Sequence, residues 1–332
     1  MKEGYQAEIE QALREIPDGA FAVKRHSTAD LQSILPAEQL TIRTKGKGKM
    51  ETFQLFPGIA MSMHWYMAEQ MQFHHRAKRS VLEIDHCRTG RIGWNMRGGD
   101  AVYFGEGDLC LHSMACCADS QISLPMGYYA GISVAVDLQI LKTDCPAILR
   151  EAGFDAQAID RKFCADDKPF GIPRNDTIDA IFTPLYDLPP SLRVPYYKLK
   201  AQEILLYLMQ LEPRTGKELT QYGSGQTELV KEIRDFLVGH LDRRVTIAEL
   251  SKKYLINTSS LKTVFKAVYG MPIAAYVKTY RMQQAMQLLR ETDDSIAVIA
   301  QKVGYETQGK FTKTFKEKTG ILPTKYRKLY RK

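Results

Sequence analysis

The chain has 332 residues, enough for about two domains at the usual roughly 100–200 residues each, and a formal net charge of +8. No apolar run approaches the roughly 18 residues of a membrane span, and the start, MKEGYQAEIEQ, does not read as a secretory signal. A soluble cytoplasmic protein is therefore expected, with no membrane partner. Its six cysteines (Cys87, Cys110, Cys116, Cys117, Cys145, Cys164) should be reduced thiols, since none forms a C-x-x-C pair. Charge divides the chain. From Gln226 to Lys332 there are 21 Lys+Arg against 10 Asp+Glu, a net of +11, while the remainder nets −3. The last third is thus the part able to neutralise phosphates.

Strands are expected first. Val81-Leu82-Glu83-Ile84-Asp85 and Arg91-Ile92-Gly93-Trp94-Asn95-Met96 alternate apolar and polar residues. Gly98-Gly99-Asp100 offers a hairpin turn, since glycine accepts positive φ. Ala101–Phe104 returns as a strand, Gly105-Glu106-Gly107-Asp108 turns again, and Leu109–His112 and Ile132–Val136 follow as strands. Short strands at this spacing predict an antiparallel barrel or sandwich.

Helical spacing then takes over. Helices are predicted at 138–152, 176–187 and 196–211, the last with Leu199, Ile204, Leu208 and Leu211 as its stripe and Pro195 in its first turn. The last of these is expected to pack on the barrel or against a second copy. Glu212-Pro213-Arg214-Thr215-Gly216 and Gln221-Tyr222-Gly223-Ser224-Gly225 read as a linker. The expected division is a first domain at 1–212, a linker at 213–226 and an all-α domain at 227–332, opened by a helix at about 227–241.

That last domain contains one pattern twice. The first copy runs Thr246-Ile247-Ala248-Glu249-Leu250-Ser251, then Asn257-Thr258-Ser259-Ser260-Leu261-Lys262-Thr263-Val264-Phe265-Lys266, then Gly270. The second runs Ser295-Ile296-Ala297-Val298-Ile299-Ala300, then Thr307-Gln308-Gly309-Lys310-Phe311-Thr312-Lys313-Thr314-Phe315-Lys316, then Gly320. Thr246, Asn257, Ser295 and Thr307 are helix caps, and Glu249 completes a capping box with Thr246. Ile247, Leu250 and Tyr254 should face the core, followed by Leu261, Val264, Phe265 and Val268. In the second copy Ile296, Ile299, Ala300, Val303, Phe311 and Phe315 should do so. Two helices with a tight break make a helix-turn-helix. Its outward side chains would be Ser259, Ser260, Lys262, Thr263 and Lys266 in the first copy, and Gln308, Lys310, Lys313 and Lys316 in the second. These types can touch base edges and phosphates. Between the copies a helix of about 19 residues, roughly 28 Å long, would carry Tyr276, Val277, Tyr280, Met282, Ala285, Met286 and Leu289. It could set two reading helices about one DNA turn, roughly 34 Å, apart.

Residues 228–331 resemble the DNA-binding domain of the AraC/XylS transcription regulators. The resemblance rests on Ser295-Ile296-x-x-Ile299-Ala300-x-x-Val303-Gly304-Tyr305, then Phe311-x-x-x-Phe315-Lys316, Gly320, Pro323 and Tyr326-Arg327. Gly304-Tyr305-Glu306 with Lys310-Phe311 looks like the branch holding siderophore-responsive regulators. Asn257 stands where the family usually has serine. Gly309 costs helix propensity, about 1 kcal/mol relative to alanine. The resemblance implies base contacts from Ser259, Lys262, Thr263, Gln308, Lys310 and Lys313, double-stranded DNA as partner, RNA polymerase as partner of an activator, and a homodimer. It also implies a cupin-like β domain in front that senses a small molecule, so the expected fold is α+β.

Trp65, Trp94, Tyr103 and Tyr128 are the aromatic candidates for lining that effector site, with Tyr66 and Tyr129 beside them. His64, His74, His75, His86 and His112 lack a His-x-His pair, and adjacent His74 and His75 should point to opposite faces of a strand. No metal, cofactor or catalytic residue is expected, and Cys116-Cys117 reads as a buried, inert pair. Two other readings stand beside the ligand-responsive regulator. One is a dimeric DNA-binding protein that ignores ligands. The other is a metal-dependent cupin enzyme with a DNA-binding tether, which would need a metal triad or an acid–base pair.

Overall fold

A strand that is covered on one side by helices and on the other by a barrel interior is shielded from water on both faces. The first part of this chain is built that way. The computed structural model describes residues 2–26, 34, 40–75, 78, 80–95, 100–117, 120–165, 169–212, 217–218 and 222–331. Contacts divide the chain into two units, 1–224 and 225–332.

The first unit opens with α1 (Lys2–Ala12) and continues with β1 (Phe21–His26), β2 (Leu40–Thr44), β3 (Lys47–Phe56), β4 (Ile59–Met67), β5 (Gln70–His75), β6 (Val81–Asn95), β7 (Asp100–Gly105), β8 (Leu109–Ser113), β9 (Ser120–Ser123) and β10 (Tyr128–Asp137). Then come α2 (Ala147–Glu151), α3 (Ala156–Phe163), β11 (Phe170–Ile172), α4 (Asp176–Phe182), α5 (Pro190–Gln210), β12 (Lys217–Glu218) and β13 (Tyr222–Gly223). Strand β6 belongs to two sheets. Its first part pairs with β8 and β10, and its last residues pair with β7 and β9. The result is a nearly closed barrel. Its pairs are antiparallel except β1 with β3, which run parallel.

The two-residue period assigns each strand residue to one layer. Ile59, Met61 and Met63 of β4, Leu82 and Ile84 of β6, Leu109 and Leu111 of β8, and Ile132, Val134 and Val136 of β10 form one core with the helices, meeting Ile178, Phe182, Tyr197, Ile204 and Leu208. The intervening positions point inward, where Tyr66, Cys87, Trp94, Phe104, Cys110 and Tyr129 cluster. Each buried side chain of this size contributes about 1.5–3 kcal/mol. The alternation in Val81–Asp85 is therefore real, but its polar side is the barrel interior and its apolar side is the face under the helices.

Several expectations change here. Residues 81–96 were read as two strands, yet β6 is continuous over Val81–Asn95, with Gly90 at φ 87° where it passes between the sheets. Strands β1 to β5 carry no expectation: β3 and β4 are covered on nearly every residue, which hides the alternation that marks a strand, whereas β2 and β5 do alternate between covered and open positions and their short signal is missed. The helix expected at 138–152 is broken into a 3-10 turn (Ile140–Lys142) and α2, with Pro146 capping α2. The helix at 176–187 stops at Phe182, where Pro184 tightens the chain into a 3-10 turn. Helix α5 begins at Pro190, so Pro195 lies inside it and not in its first turn, and Leu199 is 60% exposed instead of packed. Within the expected linker, β12 pairs with β11 and β13 pairs with β7, both in the first unit. The expectations for Met96, Gly98, Gly99, Pro213 to Gly216 and Gln221 fall outside the described residues.

The second unit is helical: α6 (Ser224–Gly239), α7 (Ile247–Lys253), α8 (Thr258–Tyr269), α9 (Ile273–Glu291), α10 (Ile296–Lys302), α11 (Gln308–Thr319) and α12 (Pro323–Tyr330). Helix α9 supplies both cores. Its start buries Ile273 and Tyr276, with Tyr276 edge-on to Phe265 of α8. Its end buries Met282, Ala285 and Leu289 against Ile299, Ala300, Val303, Phe311 and Phe315. Helix α12 closes the second core through the Arg327 guanidinium, which donates to the Asp294 carbonyl at 2.6 Å. No described helix is long and apolar enough to cross a membrane.

Candidate nucleic-acid interface and barrel interior

Both helix pairs are started by side-chain caps. Thr246 Oγ1 accepts from the Glu249 N–H at 3.1 Å, and Asn257 Oδ1 accepts from Ser260 N–H at 2.7 Å. In the second copy Ser295 Oγ accepts from Val298 N–H at 3.2 Å and Thr307 Oγ1 from Lys310 N–H at 3.3 Å. Each cap satisfies an orphan donor and contributes about 1 kcal/mol. Both second helices end on a left-handed glycine, Gly270 at φ 72° and Gly320 at φ 76°, whose N–H groups donate to Lys266 and Lys316 carbonyls at 2.8 Å.

With the apolar stripes buried, the remaining faces of α8 and α11 are open. Ser259, Lys262, Thr263 and Lys266 are exposed on α8, and Ser260 is half-buried. Gln308, Lys310, Lys313 and Lys316 are exposed on α11. Lys310 is held by Glu306 at 2.6 Å, a fully solvated pair that strong phosphate contact could displace. Ile247, Tyr254 and Ile296, expected in the core, are only half-buried. The turn of the second copy is fixed from behind. Arg281 of α9 donates to the Leu241 carbonyl at 2.7 Å and the Arg243 carbonyl at 2.9 Å. Gly304, at φ 75°, lies so close that an added Cβ would stand 1.9 Å from the Leu241 carbonyl oxygen. The two helix-turn-helix pairs therefore present hydroxyl, amide and ammonium groups from rigid helices, as major-groove reading requires.

A model of the helix-turn-helix domain matches residues 250–329. Over this region the chain is similar to AraC-type DNA-binding domains of transcription regulators. Among relatives, the uncharacterized HTH-type transcriptional regulator YisR of Bacillus subtilis is 32% identical over 128 residues, 39% of this chain and 42% of that protein. The HTH-type transcriptional activator AarP of Providencia stuartii is 29% identical over 102 residues, 31% of this chain and 76% of that protein. The solved carboxy-terminal domain of the response regulator yesN from Fusobacterium nucleatum is 30% identical, covering 31% of this chain and 99% of that one, with a TM-score of 0.29. This chain thus spans less than half the length of YisR.

The amino-terminal unit holds an interior cavity of about 90 Å³. Of the aromatic candidates, Trp94 lines it, together with Tyr66 and Tyr129. Trp65 does not: one residue from inward-facing His64 and Tyr66, it packs on the helical side, with Lys49 over its ring at 5.4 Å. Tyr103 and Tyr128 are also absent from its lining, Tyr103 lying against Gly93.

The interior is more polar than the aromatic reading suggested. Tyr66 Oη meets His64 Nδ1 at 2.6 Å, and His64 Nε2 meets Ser133 Oγ at 2.7 Å. Ser133 donates to Asp85 Oδ1 at 2.6 Å, and Asp85 Oδ2 accepts from His112 Nε2 at 2.9 Å. Burial lowers His64 to about 4, so it is neutral. Burial also works to lower His112, but the hydrogen bond and charge of Asp85, with the charge of Glu83, raise it to about 9. Burial, reinforced by Glu83, pushes the Cys117 thiol well above its usual value, so Cys117 is no free thiolate. His86 faces the helices, stacked on Phe182 and bonded to Tyr186 at 2.8 Å. His75 lines the interior and His74 does not. Sequence reasoning missed Glu83, Asp85 and Ser133. The signal was the alternation of β6, which placed both carboxylates on one face.

Proposed function

We propose that this chain is a sequence-specific transcription activator that works as a cytoplasmic homodimer, engages RNA polymerase and answers to a small molecule taken up by a cupin-like amino-terminal unit. Catalysis has no part in this reading. The observation that carries it is the pair of capped helix-turn-helix units with outward Ser259, Lys262 and Thr263 on α8 and Gln308, Lys310 and Lys313 on α11. Ser260, Lys266 and Lys316 flank these positions and are suited to phosphate contact. The name of AarP as an activator supports the sign of regulation. The likeness to the siderophore-responsive branch lies in Gly304-Tyr305-Glu306 and Lys310-Phe311, in the reading unit and not the sensing unit, so it supports no effector identity.

One observation favours the ligand-independent reading. The interior cavity, about 90 Å³, is far below the roughly 300–1,000 Å³ of ordinary ligand pockets. An effector seated against Trp94 must therefore be small or must open the interior. The deciding experiment measures binding of the full chain to the DNA upstream of its own and neighbouring genes, with salt titrated and competitor present. Lys262→Ala and Lys313→Ala should each weaken specific binding by about 1–3 kcal/mol at a base contact, or lower the salt slope by about 1 at a phosphate contact. Wild-type binding by both variants at physiological salt would remove α8 and α11 from the DNA interface.

A further inference from the structure

Three different metal-ligating side chains converge inside the barrel from three places in the sequence. Glu83 comes from β6, His112 from β8 and Cys117 from the turn after β8. Their donor atoms all lie within 4.8 Å of one another. Cys117 Sγ is 3.2 Å from Glu83 Oε2, and His112 Nδ1 is 3.8 Å from that same oxygen. His75, the last residue of β5, brings its Nε2 to 3.7 Å from Cys117 Sγ. A tetrahedral ion with ligands at roughly 2.0–2.3 Å separates its donors by roughly 3.3–3.8 Å. These three separations fall at or beside that range, so little movement is needed to close the group on an ion.

The surroundings fit the same occupant. All four residues line the cavity of about 90 Å³, which has room for an ion and a few waters but not for an ordinary metabolite. Asp85 accepts from His112 Nε2, while Nδ1, 3.1 Å from the Ser113 carbonyl, lies 3.8 Å from Glu83 Oε2, where an ion would replace its proton. A carboxylate behind the distal imidazole nitrogen is the usual way a ligating histidine is oriented. Asp85 is in turn held by Ser133, and Ser133 by His64. The donor set of one sulfur, one carboxylate oxygen and one or two imidazole nitrogens suits a borderline-soft divalent ion and disfavours magnesium or calcium.

We propose that the amino-terminal unit binds a divalent transition-metal ion of the zinc class through Glu83, His112 and Cys117, with His75 as the fourth donor. The site goes beyond the regulatory reading and does not depend on it, since every ligand lies in the first unit and the measurement involves no DNA.

The test uses the full chain, stripped with a chelator and titrated with Co²⁺, then with Zn²⁺ in competition. The expected result is saturation at one ion per chain, with a thiolate-to-cobalt charge-transfer band and the intense visible bands of tetrahedral Co²⁺, both abolished by Zn²⁺. Cys117→Ser should remove the charge-transfer band and weaken binding by more than about a hundredfold, beyond what loss of an orienting partner costs. Cys116→Ser, one residue away, should bind as wild type. Glu83→Gln, at a less buried position, is the second variant, and it should weaken binding while its circular dichroism melt shows a folded chain. The absence of a thiolate band in the wild type, or the same band and affinity in Cys117→Ser, would overturn the site. So would wild-type affinity in folded Glu83→Gln.

Discussion

In the first helix-turn-helix the chain turns through Leu255, at φ 51° and 93% exposed; in the second it turns through Gly304, at φ 75° and packed on the loop after α6. Both residues stand nine positions after their first cap, Thr246 and Ser295. The backbone requirement is the same, and only the surroundings differ. At Gly304 a side chain has nowhere to go, because Arg281 holds the Leu241 carbonyl in place. At Leu255 the side chain projects into solvent, so the left-handed conformation costs about 1–2 kcal/mol but meets no wall. Conformation alone therefore does not make a glycine indispensable; a close neighbour does. The outward chemistry differs as well. Helix α8 shows three hydroxyls and two lysines, and α11 shows an amide and three lysines, so two similar frames carry different outward groups.

The strongest way to break the comparison is Gly304→Ala. The collision with the Leu241 carbonyl and the positive φ together should cost roughly 3 kcal/mol. The thermal transition of the carboxy-terminal unit should fall by roughly 10–20 °C. A midpoint within a degree or two of wild type would mean that the loop after α6 yields freely. Next come the caps. Asn257→Ala and Thr307→Ala should each cost about 1 kcal/mol. The larger loss is expected at Asn257, whose bond is 2.7 Å against 3.3 Å. Urea midpoints at constant slope would measure both, and a larger loss at Thr307 would reverse the ranking. Gly309→Ala sharpens the contrast between the reading helices. Its Cβ would meet nothing within 4 Å, so α11 should gain up to about 1 kcal/mol in a urea melt. A loss would show that Gly309 serves the fold and not the propensity of an exposed position. The smallest effect is expected from Leu255→Gly. Relief of the left-handed strain, offset by the entropy of glycine in the unfolded chain, should leave a gain of about 0.5 kcal/mol. A destabilised variant in the same melt would show that the Leu255 side chain makes contacts that its exposure conceals.

The carboxy-terminal unit was legible because its signals are local. Caps at Asn257 and Thr307, stripes such as Leu261, Val264 and Phe265, and terminal glycines at 270 and 320 each act within one or two helical turns. The same local logic failed at Pro195, because the helix begins at Pro190 and its interior tolerates the second proline. It failed more widely before Val81, where β3 and β4 are buried on both faces and the alternation of β2 and β5 is short.

The polar interior shows the limit most plainly. Glu83 and Asp85 were visible as alternating residues of β6, and His112 as a strand residue, but nothing near them in the sequence names their partners. Ser133 lies 48 positions from Asp85, and Cys117 lies 34 from Glu83. The amino-acid sequence by itself determined the repeated helices, their caps and their outward cations, because helix formation and capping are decided among residues three or four apart. Only the tertiary structure decided that the polar face of β6 looks inward, that Trp65 packs under the helices while Trp94 lines the cavity, and that a carboxylate, an imidazole and a thiol meet, because strand register and barrel curvature set which distant residues share a face.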